Sequence, residues 1–179
     1  MGTVNLKTAS GGSVILSPAN TASDVTITVP ASNATMAVNG PAFSAYQSSA
    51  QSIPASIGTK VLFQTKEFDT ATAYDATTSR FQPLVAGYYQ ITSSLFFNLG
   101  VTSLVTTIAI IKSGTAVKSS NTGTTNANGY FSPNITALIY LNGSTDYIEI
   151  YITQLSVASQ SLSASSAGTF FQAAMVRSA

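Results

Sequence analysis

The stretch Tyr147-Ile148-Glu149-Ile150-Tyr151-Ile152 alternates isoleucine with polar or amphipathic side chains. Successive side chains of a β-strand point to opposite faces of its sheet, so the three isoleucines are predicted to face a core. The two tyrosines and Glu149 then face water or a partner. This segment predicts a half-buried strand, and the same pattern recurs along much of the chain.

Other segments rich in Val, Thr, Ile, Tyr and Phe are separated by turn residues at short intervals, and helical periodicity is absent. This pattern is typical of a sandwich or barrel, and we expect an all-β, two-sheet jelly roll. Gly87 is expected to take a positive φ in a tight turn before a long strand. The predicted strands are Ser13–Leu16, Val25–Val29, Lys60–Phe68, Arg80–Pro83, Gly87–Asn98, Leu104–Lys112, Thr115–Ser119, Tyr130–Leu141, Tyr147–Ile152 and Gly168–Arg177.

The composition excludes several function classes. Only 7% of the 179 residues are charged, 45% are hydrophobic, and the net charge is +1 without any basic run. Nucleic acid is therefore not an expected partner, because its binding needs a concentrated positive surface. The longest apolar stretch, residues 99–111, is too short and too rich in Thr to span a bilayer, so we expect no membrane insertion. We also expect no signal peptide, since no basic region precedes an apolar stretch at the N-terminus.

A domain boundary is predicted near Asn39-Gly40-Pro41, where Gly and Pro together interrupt any strand. Residues 1–40 then form a short, β-rich N-terminal arm, and residues 41–179 form the main domain. Two apolar segments of the arm are separated by turn-forming residues and predict a small hairpin, which is marginal alone and favours attachment to another surface. A flexible leader is the alternative. The attachment residues are Val14, Ile15, Leu16, Val25, Ile27 and Val29.

Residues 41–179 carry motifs that resemble a C1q/TNF-like domain. The resemblance is clearest at the two ends of this region, and no motif anchors it between Gly100 and Asn128. The residues that carry it are Ala42-Phe43-Ser44-Ala45, Val61, Phe63, Phe68-Asp69, Tyr74-Asp75, Ser79-Arg80-Phe81, Pro83, Gly87-Tyr88-Tyr89 and Thr169-Phe170-Phe171-Gln172-Ala173-Ala174-Met175-Val176.

The resemblance implies a ten-stranded jelly roll that assembles as a compact homotrimer. It places Phe170 near a three-fold axis, and we take Phe170 and Phe171 as the candidates for the trimer interface. The alternative is that Phe170 faces the core of its own subunit, because alternation lets only one of the two rings face the interior.

The arm is similar to short β segments that precede adhesive or decorating domains in virion proteins of tailed bacteriophages. The similar residues are Gly11-Gly12-Ser13-Val14-Ile15-Leu16-Ser17-Pro18-Ala19, Asp24-Val25-Thr26-Ile27-Thr28-Val29-Pro30-Ala31 and Ala34-Thr35-Met36-Ala37.

The sequence offers little to catalysis. It has no histidine and no cysteine, which removes a Ser-His-Asp triad, a thiol nucleophile and the usual zinc ligands. A glycosidase would need two carboxylates across a cleft, and the available groups are Glu67, Asp69 and Asp75, or Asp146 and Glu149. Ion pairing with Lys60 and Lys66 is the simpler explanation of Glu67 and Asp69. We expect no enzyme activity and no cofactor.

Calcium requires only hard oxygen ligands, and Asp69, Asp75 and Asp146 are the candidates to hold it. No Asp-x-Asp-x-Asp-Gly loop is present, so we predict no dedicated metal site.

These observations favour a structural virion protein: a trimeric capsid decoration, cement or head-appendage protein that binds the major capsid protein or another virion protein through its arm. It would be assembled in the host cytoplasm and located on the virion. One alternative is the receptor-binding tip of a phage tail fibre, with Gly114–Gly129 offering adaptable contacts to a host-surface glycan or protein. Another alternative is a secreted C1q-like lectin.

Overall fold

The computed structural model describes residues 4–7, 10–16, 40–98, 104–125 and 129–179, which form strands, turns and extended segments without a helix. Within these ranges no helix is long and apolar enough to cross a membrane. The chain divides into two compact units, Met1–Met36 and Ala37–Ala179. The boundary predicted from the sequence, near Asn39-Gly40-Pro41, lies a few residues further along the chain.

The first unit contains an antiparallel hairpin. Its strands are β1 (Val4–Lys7) and β2 (Ser13–Leu16). Gly11, between them, has a φ of 86°, a left-handed conformation that glycine adopts without steric cost. The predicted strand Ser13–Leu16 is confirmed, whereas its partner Val4–Lys7 was not predicted. The other predicted arm strand, Val25–Val29, lies outside the described residues.

The described part of the second unit contains fifteen strands. They are β3 (Ala42–Gln47), β4 (Gln51–Ile53), β5 (Thr59–Lys60), β6 (Thr65–Asp69), β7 (Tyr74–Asp75), β8 (Arg80–Phe81), β9 (Ala86–Ser94), β10 (Phe97–Asn98), β11 (Leu104–Lys112), β12 (Thr115–Thr124), β13 (Tyr130–Phe131), β14 (Asn134–Asn142), β15 (Ile148–Gln154), β16 (Gln160–Leu162) and β17 (Ser165–Ser178).

These strands form three antiparallel sheets. A five-stranded sheet has the order β14-β9-β17-β3-β6, and a six-stranded sheet has the order β12-β11-β15-β8-β7, with β5 also paired to β15. A four-stranded sheet, β13-β10-β16-β4, continues from them. The first and last strands of the unit, β3 and β17, lie side by side, and most neighbours in space are far apart in sequence. This connectivity is that of a jelly roll, which confirms the predicted fold class.

Aromatic rings join the two larger sheets across the core. Phe43 of β3 stacks on Tyr74 of β7 and Phe81 of β8, with ring centroids 4.5 and 4.7 Å apart. Phe171 of β17 meets Phe43 edge to face at 4.8 Å. Offset-stacked and edge-to-face pairs are the favoured geometries of aromatic side chains, so this cluster fixes how the sheets pack.

Several predicted strands are interrupted in the structure. The predicted strand Lys60–Phe68 is two strands, β5 and β6, because the intervening Val61 and Phe63 turn into the core and pair elsewhere. The Val61 amide donates to the Ile150 carbonyl, and the Phe63 amide donates to the Ser79 hydroxyl. Gly87–Asn98 and Tyr130–Leu141 are likewise each divided into two strands.

Other strands were missed or predicted too short. β3, β4 and β16 were not predicted as strands. The strand predicted at Thr115–Ser119 extends to Thr124 as β12, so most of the segment proposed for adaptable loop contacts, Gly114–Gly129, is regular edge strand.

The strand register defines two ends of the sandwich. The chain enters the unit near Pro41, whose carbonyl accepts a hydrogen bond from the Met175 amide, and Met175 pairs with Tyr89 of β9. The nearby pair of Ala86 in β9 and Asn142 in β14 therefore lies at the end where the chain enters. We call this the proximal end. The distal end is marked by Ser94 of β9 and by Gln154 of β15.

Candidate functional site

The outward side of the five-stranded sheet is the main candidate for an interaction surface. Along β9, Tyr89 and Ile91 are buried while Tyr88 is exposed and Gln90 and Thr92 are half-buried. Alternation on the neighbouring strands gives one continuous surface, which we call the outer sheet face. Its residues are Ser44, Tyr46, Tyr88, Gln90, Thr92, Ser94, Thr136, Leu138, Tyr140, Phe170, Gln172 and Ala174.

Aromatic side chains form the distal row of this face. Phe170 of β17 is half-buried and pairs with Tyr46 on one side and Ser94 on the other. Phe171, the other predicted interface residue, has no accessible surface and packs on Phe43 and Phe63. The assignment of Phe171 to a trimer interface is therefore corrected: its ring belongs to the core of its own subunit. Phe170 stays the candidate.

Neutral polar groups form the middle row. The Gln172 amide donates to the Ser44 hydroxyl at 3.0 Å, and the Thr92 and Thr136 hydroxyls are 2.9 Å apart. Next to this row, Phe68, Gln90 and Ala174 help to line a shallow groove of about 240 Å³. The hydrogen-bonded pairs of the middle row, Gln172 with Ser44 and Thr92 with Thr136, thus form a uniform neutral surface.

Tyrosine and leucine occupy the proximal part of the face. Tyr88 and Tyr140 are directly opposed across β9 and β14, with ring centroids 5.5 Å apart, and both are exposed by more than 40%. Leu138, one position along the same face, is 52% exposed. The Lys112 ammonium lies 5.6 Å from the Tyr140 ring and marks the edge of the surface.

Charge is confined to the margins of the outer sheet face. Glu67, on the edge strand β6, accepts a hydrogen bond from Ser44, and Arg177 lies opposite Tyr88 near the end of β17. The central rows contain aromatic, aliphatic, hydroxyl and amide side chains. Protein interfaces are enriched in Tyr and Phe and depleted of charged side chains at their centre, so this composition is typical of a contact surface between proteins.

The calcium candidates do not come together. Asp69 accepts from the backbone amides of Ala73 and Tyr74 and pairs with Lys66, while Asp146 pairs with Lys112 at the proximal end. Asp75 accepts from the amide and hydroxyl of Thr77 and the hydroxyl of Thr78. Across the described ranges, no three acidic side chains are grouped as metal ligands.

The electrostatics of these three carboxylates follow from the same contacts. The hydroxyls of Thr77 and Thr78 hold the pKa of Asp75 at about 2. Burial alone raises the pKa of Asp69 and Asp146, but hydrogen bonds and the nearby lysines outweigh it and lower both pKa values. All three carboxylates are therefore ionised and occupied in holding their own loops, which is a structural role.

A buried ion cluster was missed by the sequence analysis. Glu149, only 5% exposed, accepts from Lys60 at 2.8 Å and from the guanidinium of Arg80 at 2.9 Å, and Arg80 lies 3.7 Å over the Tyr147 ring. Burial raises the pKa of Glu149, but the two cations more than compensate and lower it. The expected pairing of Lys60 with Glu67 or Asp69 is thus wrong, because β5 lies beside β15 in the six-stranded sheet.

Comparison with solved structures shows which known fold this chain adopts. Murine APRIL at pH 8.5 superposes with a TM-score of 0.57 at 16% identity, covering 77% of this chain and 100% of that one. An Eiger TNF from S. frugiperda gives 0.61 at 8% identity over 78% and 94% of the two chains, and the globular domain of zebrafish complement 1qA protein gives 0.57 at 15% over 79% and 100%. The fold is a TNF/C1q-like jelly roll. No protein-family model matches the sequence, and a search of curated proteins gives no significant match.

The TNF/C1q-like fold agrees with the family resemblance inferred from the ends of the domain. Among the motif residues, Phe43, Phe63, Tyr74, Phe81, Tyr89 and Phe171 are the core rings. The outer sheet face could not be assembled from sequence, because it combines strands from residues 42–46, 88–94, 136–140 and 170–174. The available signal was the alternation of Tyr88 with Tyr89 and of Phe170 with Phe171.

Proposed function

We propose that this protein is a non-enzymatic structural module whose jelly roll assembles as a homotrimer through the outer sheet face. The observation that carries the proposal is the exposure of Tyr88, Leu138 and Tyr140 on a sheet face whose central rows are uncharged. Clusters of exposed apolar side chains on one surface mark interaction sites. Exposure of such a face to water is unfavourable, and contact with neighbouring copies removes that cost.

A second copy of the chain is the partner that fits this face best. Identical subunits bring identical charges together, so a contact between copies is favoured where the surface is neutral. The charged side chains that border the face include both signs, with Glu67 negative and Arg177 and Lys112 positive. The likeness to TNF and C1q-like structures supports the same assembly, since the resemblance implies a compact trimer.

We propose further that the trimer is a capsid decoration, cement or head-appendage protein held on a virion by residues 1–40. The similarity of the arm to segments of phage virion proteins supports this assignment. So does the hairpin of β1 and β2, because two strands alone are marginally stable and gain from pairing with another protein.

A receptor-binding fibre tip is the second candidate. It is favoured by the position of the distal end, which lies opposite the end at which the chain enters the jelly roll from residue 40. A module anchored at its proximal end presents that distal surface outward.

Solution mass measurements test the trimer. We expect full-length protein and residues 41–179 to have three times the mass of one chain, and Phe170→Asp to be folded and monomeric, because it places a charge at each subunit contact. Leu84→Asp is the matched control, since Leu84 is 77% exposed and lies outside the face. A monomeric wild-type protein would overturn the trimer, and a trimer only in the full-length chain would assign assembly to the arm.

A further inference from the structure

Four exposed aliphatic side chains lie on neighbouring segments at the distal end. Val157 is fully exposed, and Leu155, Ile57 and Val105 are exposed by 59%, 58% and 45%. The Leu155 amide donates to the Val105 carbonyl at 2.9 Å, and the amide of Ser56 donates to the Gln154 carbonyl at 2.7 Å. These bonds hold loop 54–58 and loop 155–159 side by side, and we call the four side chains the distal patch.

A buried glutamine fixes the shape of loop 155–159. The Gln154 side chain has no accessible surface, and its amide nitrogen donates to the carbonyls of Ile53 and Ala158 at 3.1 and 2.9 Å. Its oxygen accepts from the amide and the hydroxyl of Ser156 at 2.8 and 2.6 Å. Gln160 adds a further bond to the Ala158 carbonyl. Gln154 thus holds this loop from inside the protein, while Leu155 and Val157 are exposed.

Loop 54–58 is held in a backbone conformation that costs free energy. Ser56 has a φ of 57°, in the left-handed region that is unfavourable for residues other than glycine. It immediately precedes Ile57, which projects into solvent. Backbone strain of this kind persists where the surrounding structure enforces it and is found preferentially at functional positions.

We propose that the distal patch is a lipid-contact site that inserts its aliphatic side chains shallowly into an uncharged membrane surface. Transfer from water into hydrocarbon is favourable for aliphatic side chains and unfavourable for unpaired polar groups. The distal patch meets the first condition, and the Gln154 side chain reduces the polar cost by pairing with the Ala158 carbonyl and with the amide and hydroxyl of Ser156. Residues 53–59 and 154–163 also contain no charged residue, so insertion desolvates no charge.

The composition of the patch favours lipid over a protein or a glycan. Binding hot spots in protein interfaces are rich in Trp, Tyr and Arg and poor in Leu, Val and Ser, whereas this patch consists of Leu, Ile and Val. It also lacks an aromatic platform for a sugar ring. Lipid accepts aliphatic side chains without a complementary shape. The absence of Lys and Arg from both loops predicts binding that does not need anionic lipid.

The patch remains accessible in the proposed trimer. Val105 lies in β11 and Leu155 directly follows β15, both strands of the six-stranded sheet, whereas the outer sheet face belongs to the five-stranded sheet. Three patches at the same end of one trimer would act together and raise the apparent affinity. The lipid proposal rests on the fold of one subunit and gains only this avidity from the trimer.

Sedimentation with phosphatidylcholine vesicles tests the proposal on the full-length protein. We expect binding to pure phosphatidylcholine that is unchanged between low and high NaCl, and a loss of about tenfold or more in partitioning for Leu155→Ser and Val157→Ser. Leu84→Ser is the matched control, because Leu84 is a leucine outside the patch that is even more exposed than Leu155, and it should bind like the wild type. Thermal unfolding of each variant confirms that the fold is retained.

Three outcomes would overturn the lipid site. They are no binding of wild-type protein to vesicles, an equal loss for Leu84→Ser and Val157→Ser, and binding only to vesicles that contain phosphatidylserine with loss in NaCl. The first outcome would leave an apolar protein surface as the remaining partner for the patch. A measurement of mass on the same samples keeps the two proposals separate, since a monomer that binds vesicles contradicts the trimer alone.

A fluorescent reporter gives a second readout. The chain contains no tryptophan, so Val157→Trp introduces a single indole at the centre of the patch. We expect its emission to shift to the blue on addition of phosphatidylcholine vesicles, as indole leaves water, and Leu84→Trp to show no shift. Equal shifts at both positions would mean that lipid adsorbs without using the distal patch.

Discussion

At the scale of single residues, neighbours of the same type have opposite roles. Phe170 and Phe171 are adjacent phenylalanines, yet one lies on the outer sheet face and the other is fully buried among Phe43, Phe63 and Tyr74. Alternation alone requires that the two rings point in opposite directions. Only the packing of β17 between β9 and β3 decides which ring is inside.

This difference predicts two kinds of stability loss. Phe171→Ala should lower the free energy of unfolding by about 3–5 kcal/mol, because it leaves a cavity in the core. Its melting temperature should fall by the same amount at every protein concentration. Phe170→Ala should lower the melting temperature most at low protein concentration, since a weakened oligomer depends on mass action. Melting curves at two concentrations separate the two effects, and identical behaviour of both variants would contradict the assignment.

Gly87 shows a residue whose role the sequence suggested only in part. Its predicted positive φ is wrong, because the left-handed glycines of the described chain are Gly11, Gly114 and Gly143. A Cβ atom at position 87 would instead lie 2.5 Å from the Arg177 carbonyl oxygen. Glycine is required here by the close approach of β17 to β9, which is a tertiary contact.

At the scale of elements, Glu149 ties three strands together. It lies on β15, and its carboxylate receives Lys60 from β5 and Arg80 from β8. A buried carboxylate held by two cations is costly to protonate or to remove. The cluster therefore couples the stability of this part of the six-stranded sheet to pH.

The direction of that coupling follows from the lowered pKa of Glu149. Because the folded-state pKa lies below the ordinary value of 4.5, the stabilisation is complete above that pH and is lost as the pH falls through the folded-state pKa. Glu149→Gln should lower the free energy of unfolding by about 2 kcal/mol at pH 7. The difference in melting temperature between the wild type and this variant should shrink as the pH falls from 5 toward 3, and a constant difference would contradict the model of a stabilising carboxylate.

A comparison of the strands also shows which of them could be predicted from the sequence and which could not. The segments around Ile91, Ile108 and Ile150 were predicted as strands because their alternation is regular, and the structure confirms them. β3 was missed as a strand because Ala42–Gln47 is buried on both sides of its backbone at several positions and carries small and polar residues. The edge strand β12 was predicted too short, since its Ser, Thr and Asn side chains are equally typical of loops.

At the scale of the whole molecule, the sandwich separates three surfaces. The chain enters at the proximal end, the outer sheet face covers the five-stranded sheet, and the distal patch lies at the opposite end. In the proposed function, residues 1–40 anchor the module, the outer sheet face assembles it and the distal end is presented outward. Anchoring, assembly and presentation then use different residues, and each is open to mutation by itself.

The proposed place on a virion predicts a copy number. Imaging of particles labelled with an antibody against residues 41–179 should show many copies over the capsid shell for a decoration protein. A few copies at the end of the tail would instead support the receptor-binding tip. Particles without label at either place would contradict a virion role altogether, whatever the oligomeric state of the purified protein.

The sequence by itself determined the class of the fold, the absence of histidine and cysteine chemistry, and the pairs of residues that lie on opposite sides of a strand. These are local properties, because alternation and composition are independent of distant residues. The tertiary structure alone decided which of Phe170 and Phe171 lies in the core, that Lys60 meets Glu149 across 89 positions, and that the segments of Ile57, Val105 and Leu155 are neighbours. In a jelly roll most neighbours are brought together by sheet order, and a sequence without an alignment contains no direct signal for that order.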